Sequence, residues 1–259
     1  MTPLEAALLG VIQGLTEFLP VSSSGHLALG QAILGIETGD VTFEIIVHFG
    51  TLLAVVTALR ARIMVLMRGC LARDPAAWRM VGFLLLGTLP AAVFGIALKD
   101  TLEEAFASPA AVSGFLILTG VILFSTRFAS GERKDVTLAD AIVIGCAQAF
   151  AIFPGISRSG STIGMGLWRG LDSREAGTFS FLLSIPIILG ATILAVDDLV
   201  AHPPSADALW TLIIGAVMAY VSGVFAIRWL MGILAGGKLE RFAYYCWVVG
   251  IVGVGYYWG

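Results

Sequence analysis

Charge is scarce in this chain of 259 residues: only 13% are Asp, Glu, Lys or Arg, about half of the roughly 25% usual in soluble domains. That deficit, with 58% hydrophobic residues and a mean hydropathy of +0.94, excludes a soluble globular protein. Basic residues are outnumbered by acidic ones, 15 to 18, so the electrostatic footprint of a nucleic-acid binder is missing. Cysteine is nearly absent too. Cys70, Cys146 and Cys246 lie far apart, which indicates neither a disulfide framework nor a ligand cluster. Disorder is excluded because apolar surface is abundant. The first residues lack the basic flank and small-residue cleavage pattern of a signal peptide, so none is expected to be removed. What remains is an integral membrane protein.

Six apolar stretches, roughly 43–59, 81–98, 110–128, 179–196, 209–230 and 242–258, approach the ~20 residues that cross a bilayer as a helix. Two further apolar regions are each interrupted by a polar turn, Pro20-Val-Ser-Ser-Ser-Gly25 and Pro154-Gly-Ile-Ser-Arg-Ser-Gly160. A short apolar arm follows each turn. Helix starts are well marked, with Thr2 to Glu5 and Asp172 to Glu175 as capping boxes and Pro109 after Ser108. Backbone that leaves the helix inside hydrocarbon must hide in protein or line a cavity. The two regions therefore read as re-entrant hairpins over 3–36 and 137–170, the alternative being pairs of ordinary spans joined by exposed loops.

Aligned 135 positions apart, Gly10 meets Gly145, Gln13 meets Gln148, and Ser22 to Gly25 meets Ser157 to Gly160. This is an internal repeat around a polar turn. Three stretches separate the copies, so the second enters from the opposite face, as in inverted-repeat transporters. The expected fold is an all-α polytopic membrane protein with about six transmembrane helices and two re-entrant hairpins. Residues 1–259 form one membrane domain, built from a first inverted repeat, 1–136, and a second, 137–259. Of the 15 basic residues, Arg158 belongs to the second turn and Lys99 to the side on which the first hairpin opens. The remaining thirteen, from Arg60 to Arg241, fall on the other side, which makes that side cytoplasmic.

Glu17, His26 and Arg158 are ionisable residues in apolar surroundings, where each costs about 2.5–3.5 kcal/mol at mid-membrane, so they face a polar cavity and find one another. The plainer reading is a structural Glu17–Arg158 pair that locks the hairpins together. Hydroxyls argue for more: Ser22, Ser23, Ser24, Ser157, Ser159, Ser161 and Thr162 flank these charges, and Gly25 and Gly160 allow close backbone approach. Two helix amino-termini and one planar guanidinium suit an anion with several oxygens. Glu44 and His48, four residues apart on the next stretch, either extend the polar cavity or, as such pairs more often do, satisfy each other; the second is expected.

The run from Gln13 to His26, Gln-Gly-Leu-Thr-Glu-Phe-Leu-Pro-Val-Ser-Ser-Ser-Gly-His, and the run from Pro154 to Thr162 resemble the two signature segments of the bacterial undecaprenyl-diphosphatases, also called bacitracin-resistance proteins. Leu86 to Pro90 and Phe179 to Pro186 fit the same family, so the resemblance covers essentially the whole chain. It implies an enzyme of the bacterial cytoplasmic membrane, with its site open to the periplasm, that removes the terminal phosphate of undecaprenyl diphosphate and so recycles the peptidoglycan lipid carrier. By position it makes Glu17, Ser23, His26 and Arg158 the functional acid, serine, histidine and arginine, with Ser22, Ser157 and Thr162 around them. Gln13, Ser24, Gly25, Ser159 and Gly160 complete the expected substrate-binding set. Many members carry Glu where this chain carries Gln13, so one carboxylate is expected here instead of two.

The nucleophile is Ser23, deprotonated by Glu17 or His26, or else His26 itself; Ser23 is favoured because Glu17 lies within reach across the turn. Mg²⁺ or another divalent cation would suit the diphosphate, with Glu17 as ligand, and no organic cofactor is expected. The partners expected are a polyprenyl diphosphate and membrane lipids, with no nucleic acid; a homo-oligomer is compatible with the sequence but not required by it. Fragments such as Ser24-Gly25-His26 look like pieces of the type 2 phosphatidate phosphatases, but that family's remaining motif segments are missing. The serious rival is a transporter or flippase of a polyprenyl phosphate lipid, since a site that binds a diphosphate need not cleave it.

Overall fold

The computed structural model describes residues 1–36, 41–129, 131–201 and 205–258. Among these residues all extended regular structure is helical, in twelve α-helices. They are α1 (Pro3–Phe18), α2 (Ser23–Leu34), α3 (Val41–Ala58), α4 (Arg60–Leu71), α5 (Pro75–Ala97), α6 (Lys99–Phe106), α7 (Pro109–Ser125), α8 (Leu138–Phe150), α9 (Arg158–Trp168), α10 (Ser173–Ala201), α11 (Ala206–Leu234) and α12 (Arg241–Trp258). The all-α polytopic membrane architecture is therefore as expected.

Four helical segments, Pro75–Ala97, Pro109–Phe128, Ser173–Ile193 and Ala208–Leu234, are long and apolar enough to cross a membrane. A fifth span results if α3 and α4 count as one helix bent by 76°. The sixth stretch forms α12, whose Arg241, tyrosines and tryptophans dilute its hydropathy. The α3–α4 bend was not foreseen, because the apolar stretch ends in Arg60-Ala-Arg62 without a proline or glycine to mark it.

Local chemistry accounts for the helix starts. Thr2 and Glu5 form the full capping box at α1, with the Thr2 amide donating to Glu5 Oε2 at 2.7 Å. Ser108 caps α7 with Pro109 next in line; at α10 Asp172 accepts from the Arg174 amide at 2.9 Å, but the expected box with Glu175 is only half formed, because the Asp172 amide donates to the Arg133 carbonyl at 2.8 Å. An unforeseen second box, Thr137 with Asp140, opens α8.

Each hairpin's first helix lies against a long helix of the other half of the chain. Helix α1 packs along α11 and α8 along α5, while α3 meets both α10 and α11, and α7 meets α12. Glycine makes the closest of these approaches. A Cβ at Gly145 would stand 2.6 Å from the Gly87 carbonyl oxygen, so α8 and α5 touch backbone to backbone. The main core lies beneath the hairpin tips, where Phe18 and Phe181 meet edge to face at 5.6 Å, with Leu183, Ile144 and Leu230 around them. Full burial of such side chains contributes about 1.5–3 kcal/mol each in water-based transfer. In a bilayer the same groups act through tight packing.

Candidate active site

Helix α1 carries Gln13 and Glu17 one turn apart on one buried face, and Gln13 Nε2 donates to Glu17 Oε2 at 2.9 Å. The helix ends where Leu19 turns extended before Pro20, a residue that disfavours the helical conformation ahead of it. Ser22 then sits at φ +71°, outside the regions open to most side chains. Its own bonds hold it there. Ser22 Oγ accepts from the Gly25 amide at 3.3 Å and from the Gly155 amide at 3.1 Å, and its carbonyl meets His26 Nδ1 at 2.8 Å.

The second hairpin turns through Gly155 at φ +97°, where a Cβ would also collide with the Val112 carbonyl on α7. Thr119 of α7 pins this turn twice, donating to the Gly155 carbonyl at 2.8 Å and accepting from the Ser157 amide at 2.9 Å. Ser157 caps α9 through the Gly160 amide at 3.0 Å. The two tips interlock, since Ser159 Oγ donates to the Leu19 carbonyl at 3.2 Å in return for the Ser22–Gly155 bond.

That interlock brings Arg158 onto Glu17. Arg158 Nη2 donates to Glu17 Oε1 at 2.5 Å, and Ser23 Oγ donates to Oε2 at 2.6 Å. Glu17 is 7% exposed and Arg158 15%. The second guanidinium nitrogen, Arg158 Nη1, is buried with no hydrogen-bond partner. A cavity of about 160 Å³ opens at this point, lined by Glu17, Ser22, Ser23, Ser24, His48, Ser157 and Arg158. A second, of about 310 Å³, shares Glu17, His48 and Arg158 and runs between α3 and α10 past Ile45, Ile188 and Ala191. The first concavity is polar and the second apolar, with one ion pair at their junction.

Ser23 and Arg158 thus both bond Glu17, one on each carboxylate oxygen, and Ser22, Ser24 and Ser157 line the same cavity. Gln13 reaches the site through Glu17. Other expected site residues point elsewhere. The His26 ring is not part of the cavity lining: Nε2 meets the Tyr245 hydroxyl at 2.8 Å and the ring stacks on that tyrosine. The Gly25 and Gly160 amides are taken up by the caps at Ser22 and Ser157, Ser159 bonds the Leu19 carbonyl, and Thr162 Oγ1 donates to the Arg158 carbonyl and meets Ser180 Oγ. These four residues build the turns and do not present donors to the cavity.

His48 corrects the expectation of a self-contained Glu44–His48 pair. Its Nδ1 meets the Glu44 main-chain oxygen at 2.7 Å, while Nε2 turns to Glu17 Oε2 at 3.6 Å. An ionisable side chain within an apolar stretch was the available signal. Thr119 and Tyr245 carried no such signal, because only packing brings α7 and α12 to the hairpin tips.

The family model for bacitracin resistance protein BacA matches residues 6–252. The undecaprenyl-diphosphatase of Salinibacter ruber is 42% identical over 268 residues, covering 98% of this chain and 99% of its own. That of Desulfatibacillum aliphaticivorans is also 42% identical, over 95% of this chain and 96% of its own. That of Methanosphaera stadtmanae is 40% identical, over 96% of each.

Proposed function

The chain belongs to the bacitracin resistance protein BacA family, and from that premise and the geometry of the hairpin tips we propose that it hydrolyses undecaprenyl diphosphate to undecaprenyl phosphate and inorganic phosphate. The observation that carries the site assignment is the unpartnered Arg158 Nη1, buried at the wall of a cavity lined by four serines. A buried donor left unpaired costs about 1–3 kcal/mol or more when charged. A phosphate oxygen supplies the missing partner, and the planar fork suits it.

In this reading the terminal phosphoryl group enters the polar cavity, and its lipid leaves through the apolar one. Arg158 holds the equatorial oxygens and stabilises their charge during in-line displacement. Ser23 Oγ attacks the terminal phosphorus while its proton passes to Glu17 Oε2, already 2.6 Å away. The bond from that phosphorus to the bridging oxygen breaks, and undecaprenyl phosphate departs with the bond's electron pair. Water then cleaves the phosphoserine, releases inorganic phosphate and restores the hydroxyl. His26, with both ring nitrogens engaged, fixes the Ser22 carbonyl and so the turn that presents Ser23.

A divalent cation fits the donor set. Gln13 Oε1 is buried without a partner beside Glu17, and one amide oxygen with one carboxylate suits Mg²⁺, which takes its remaining ligands from water and phosphate. When bound, the ion would neutralise diphosphate charge. Among the described residues no three His, Cys, Asp or Glu gather into a self-sufficient metal cage.

The two hairpins, as re-entrant arms of an inverted repeat, would open the polar cavity to the outer face of the cytoplasmic membrane. The test is phosphate release by purified protein in detergent from a polyprenyl diphosphate. Wild type releases phosphate and none of Arg158→Ala, Glu17→Ala and Ser23→Ala does; Ser23→Ala keeps its thermal midpoint within a few degrees, while the other two melt lower because each strands one partner of a buried ion pair. Equal release by Ser23→Ala would remove serine as nucleophile.

A further inference from the structure

A third concavity, of about 870 Å³, lies between α1, α11 and α12, on the other side of the first hairpin from the site. Its inner wall is apolar, formed by Leu19, Val21, Ile233 and Phe242, with Trp229 half-exposed beside them. Three cations line it as well: Arg228 from α11, Lys238 from the connection and Arg241 from the first turn of α12. All three are exposed, and none is in an ion pair among the described residues. Glu240, the acid in that connection, is not part of the lining.

This combination selects a ligand. A soluble anion would leave the apolar wall wet, and a neutral lipid would leave three cations unmatched in a chain that otherwise has few charges. We propose that the groove is a binding site for an anionic phospholipid, its phosphate head at Arg228, Lys238 and Arg241 and an acyl chain along Leu19, Val21 and Phe242. The cations belong to the side on which thirteen of the chain's basic residues accumulate, and anionic lipids are enriched in the cytoplasmic leaflet that basic residues mark. The seated lipid also touches the back of the catalytic hairpin. Thr16 lines both this groove and the polar cavity, and Tyr245 in the groove wall bonds His26. The lipid would thereby brace the turn that presents Ser23.

The site is tested by native mass spectrometry of the purified full-length chain with dioctanoyl phosphatidylglycerol and dioctanoyl phosphatidylcholine, a readout independent of hydrolysis. One tightly held phosphatidylglycerol is expected, preferred on the order of a hundredfold over phosphatidylcholine, at about one kcal/mol for each basic side chain. The combined Arg228→Gln, Lys238→Gln and Arg241→Gln variant loses that preference. Gly232→Phe fills the groove and loses the bound lipid although all three cations remain; a Cβ there meets nothing within 4 Å, so the fold accepts it. Equal retention of the two lipids by wild type, or undiminished preference in both variants, overturns the proposal. Displacement of phosphatidylglycerol by a polyprenyl phosphate at lower concentration also overturns it, and favours a groove that serves lipid transport.

Discussion

One guanidinium divides its two arms between holding the protein together and receiving a ligand. Arg158 Nη2 ties the hairpins through Glu17 while Nη1 is unpaired. Lysine would keep the charge but lacks the rigid planar fork that reaches both partners at once. Arg158→Lys should therefore fold, bind the lipid and lose about 10²- to 10³-fold in kcat, the usual cost of one transition-state donor; a phosphate-release assay at saturating substrate checks it. Gln13→Glu replaces the 2.9 Å amide bond to Glu17 with two facing carboxylates. Without divalent cation the variant should melt lower and turn over more slowly than wild type, and Mg²⁺ should restore both; equal midpoints with and without Mg²⁺ would count against a cation at this position. At this scale the sequence was most legible where chemistry is local. Glu17, Ser23 and Arg158 lie in two short runs whose polarity is out of keeping with their surroundings. His48, Thr119 and Tyr245 are contributed by three other helices, and nothing in their own neighbourhoods in the chain says which side chain they meet.

At the scale of helices, capping residues and apolar runs located most elements, since both signals are confined to a few turns. The 76° bend between α3 and α4 was not legible, because it is set by where α4 lies with none of its residues buried. Close helix approach was only half legible: Gly145 was visible as a repeat position, but not its partner Gly87. Their contact predicts that Gly145→Val, which puts a side chain into the Gly87 carbonyl, lowers the thermal midpoint by many degrees and abolishes turnover. Gly82→Ala on the open side of α5, where a Cβ meets nothing within 4 Å, should leave the midpoint unchanged or slightly raised. A parallel prediction concerns the base of the second hairpin. Asp140, fully buried, accepts from Arg133 Nη1 at 2.7 Å, Arg169 Nε at 3.0 Å and Thr137 Oγ1 at 2.7 Å, so it ties the start of α8 to the end of α9. Asp140→Asn should cost about 2 kcal/mol, the contribution of hydrogen bonds to a charged group, read as a lower melting midpoint in detergent.

For the whole molecule, the decisive question is which way the two hairpins face. In the proposed orientation the first hairpin opens outward, which would keep thirteen basic residues on the cytoplasmic side and translocate only Lys99. Helix α4 would suit that orientation, since Arg60, Arg62 and Arg68 belong to a helix with no buried residue, bent away from α3 as a segment lying along a charged interface would be. The orientation can be read with two single cysteines in a protein whose Cys70, Cys146 and Cys246 are replaced by serine. Ala107→Cys lies in the exposed turn before α7, and Lys134→Cys in the exposed connection before α8. A membrane-impermeant maleimide added to intact cells should label the first at once and the second only after the membrane is opened. The reverse pattern would turn the polar cavity to the cytoplasm, where lipid released outside could reach it only after crossing the bilayer. Labelling of both in intact cells would put the two ends of α7 on one face of the membrane, and so be incompatible with the proposed entry of the hairpins from opposite faces.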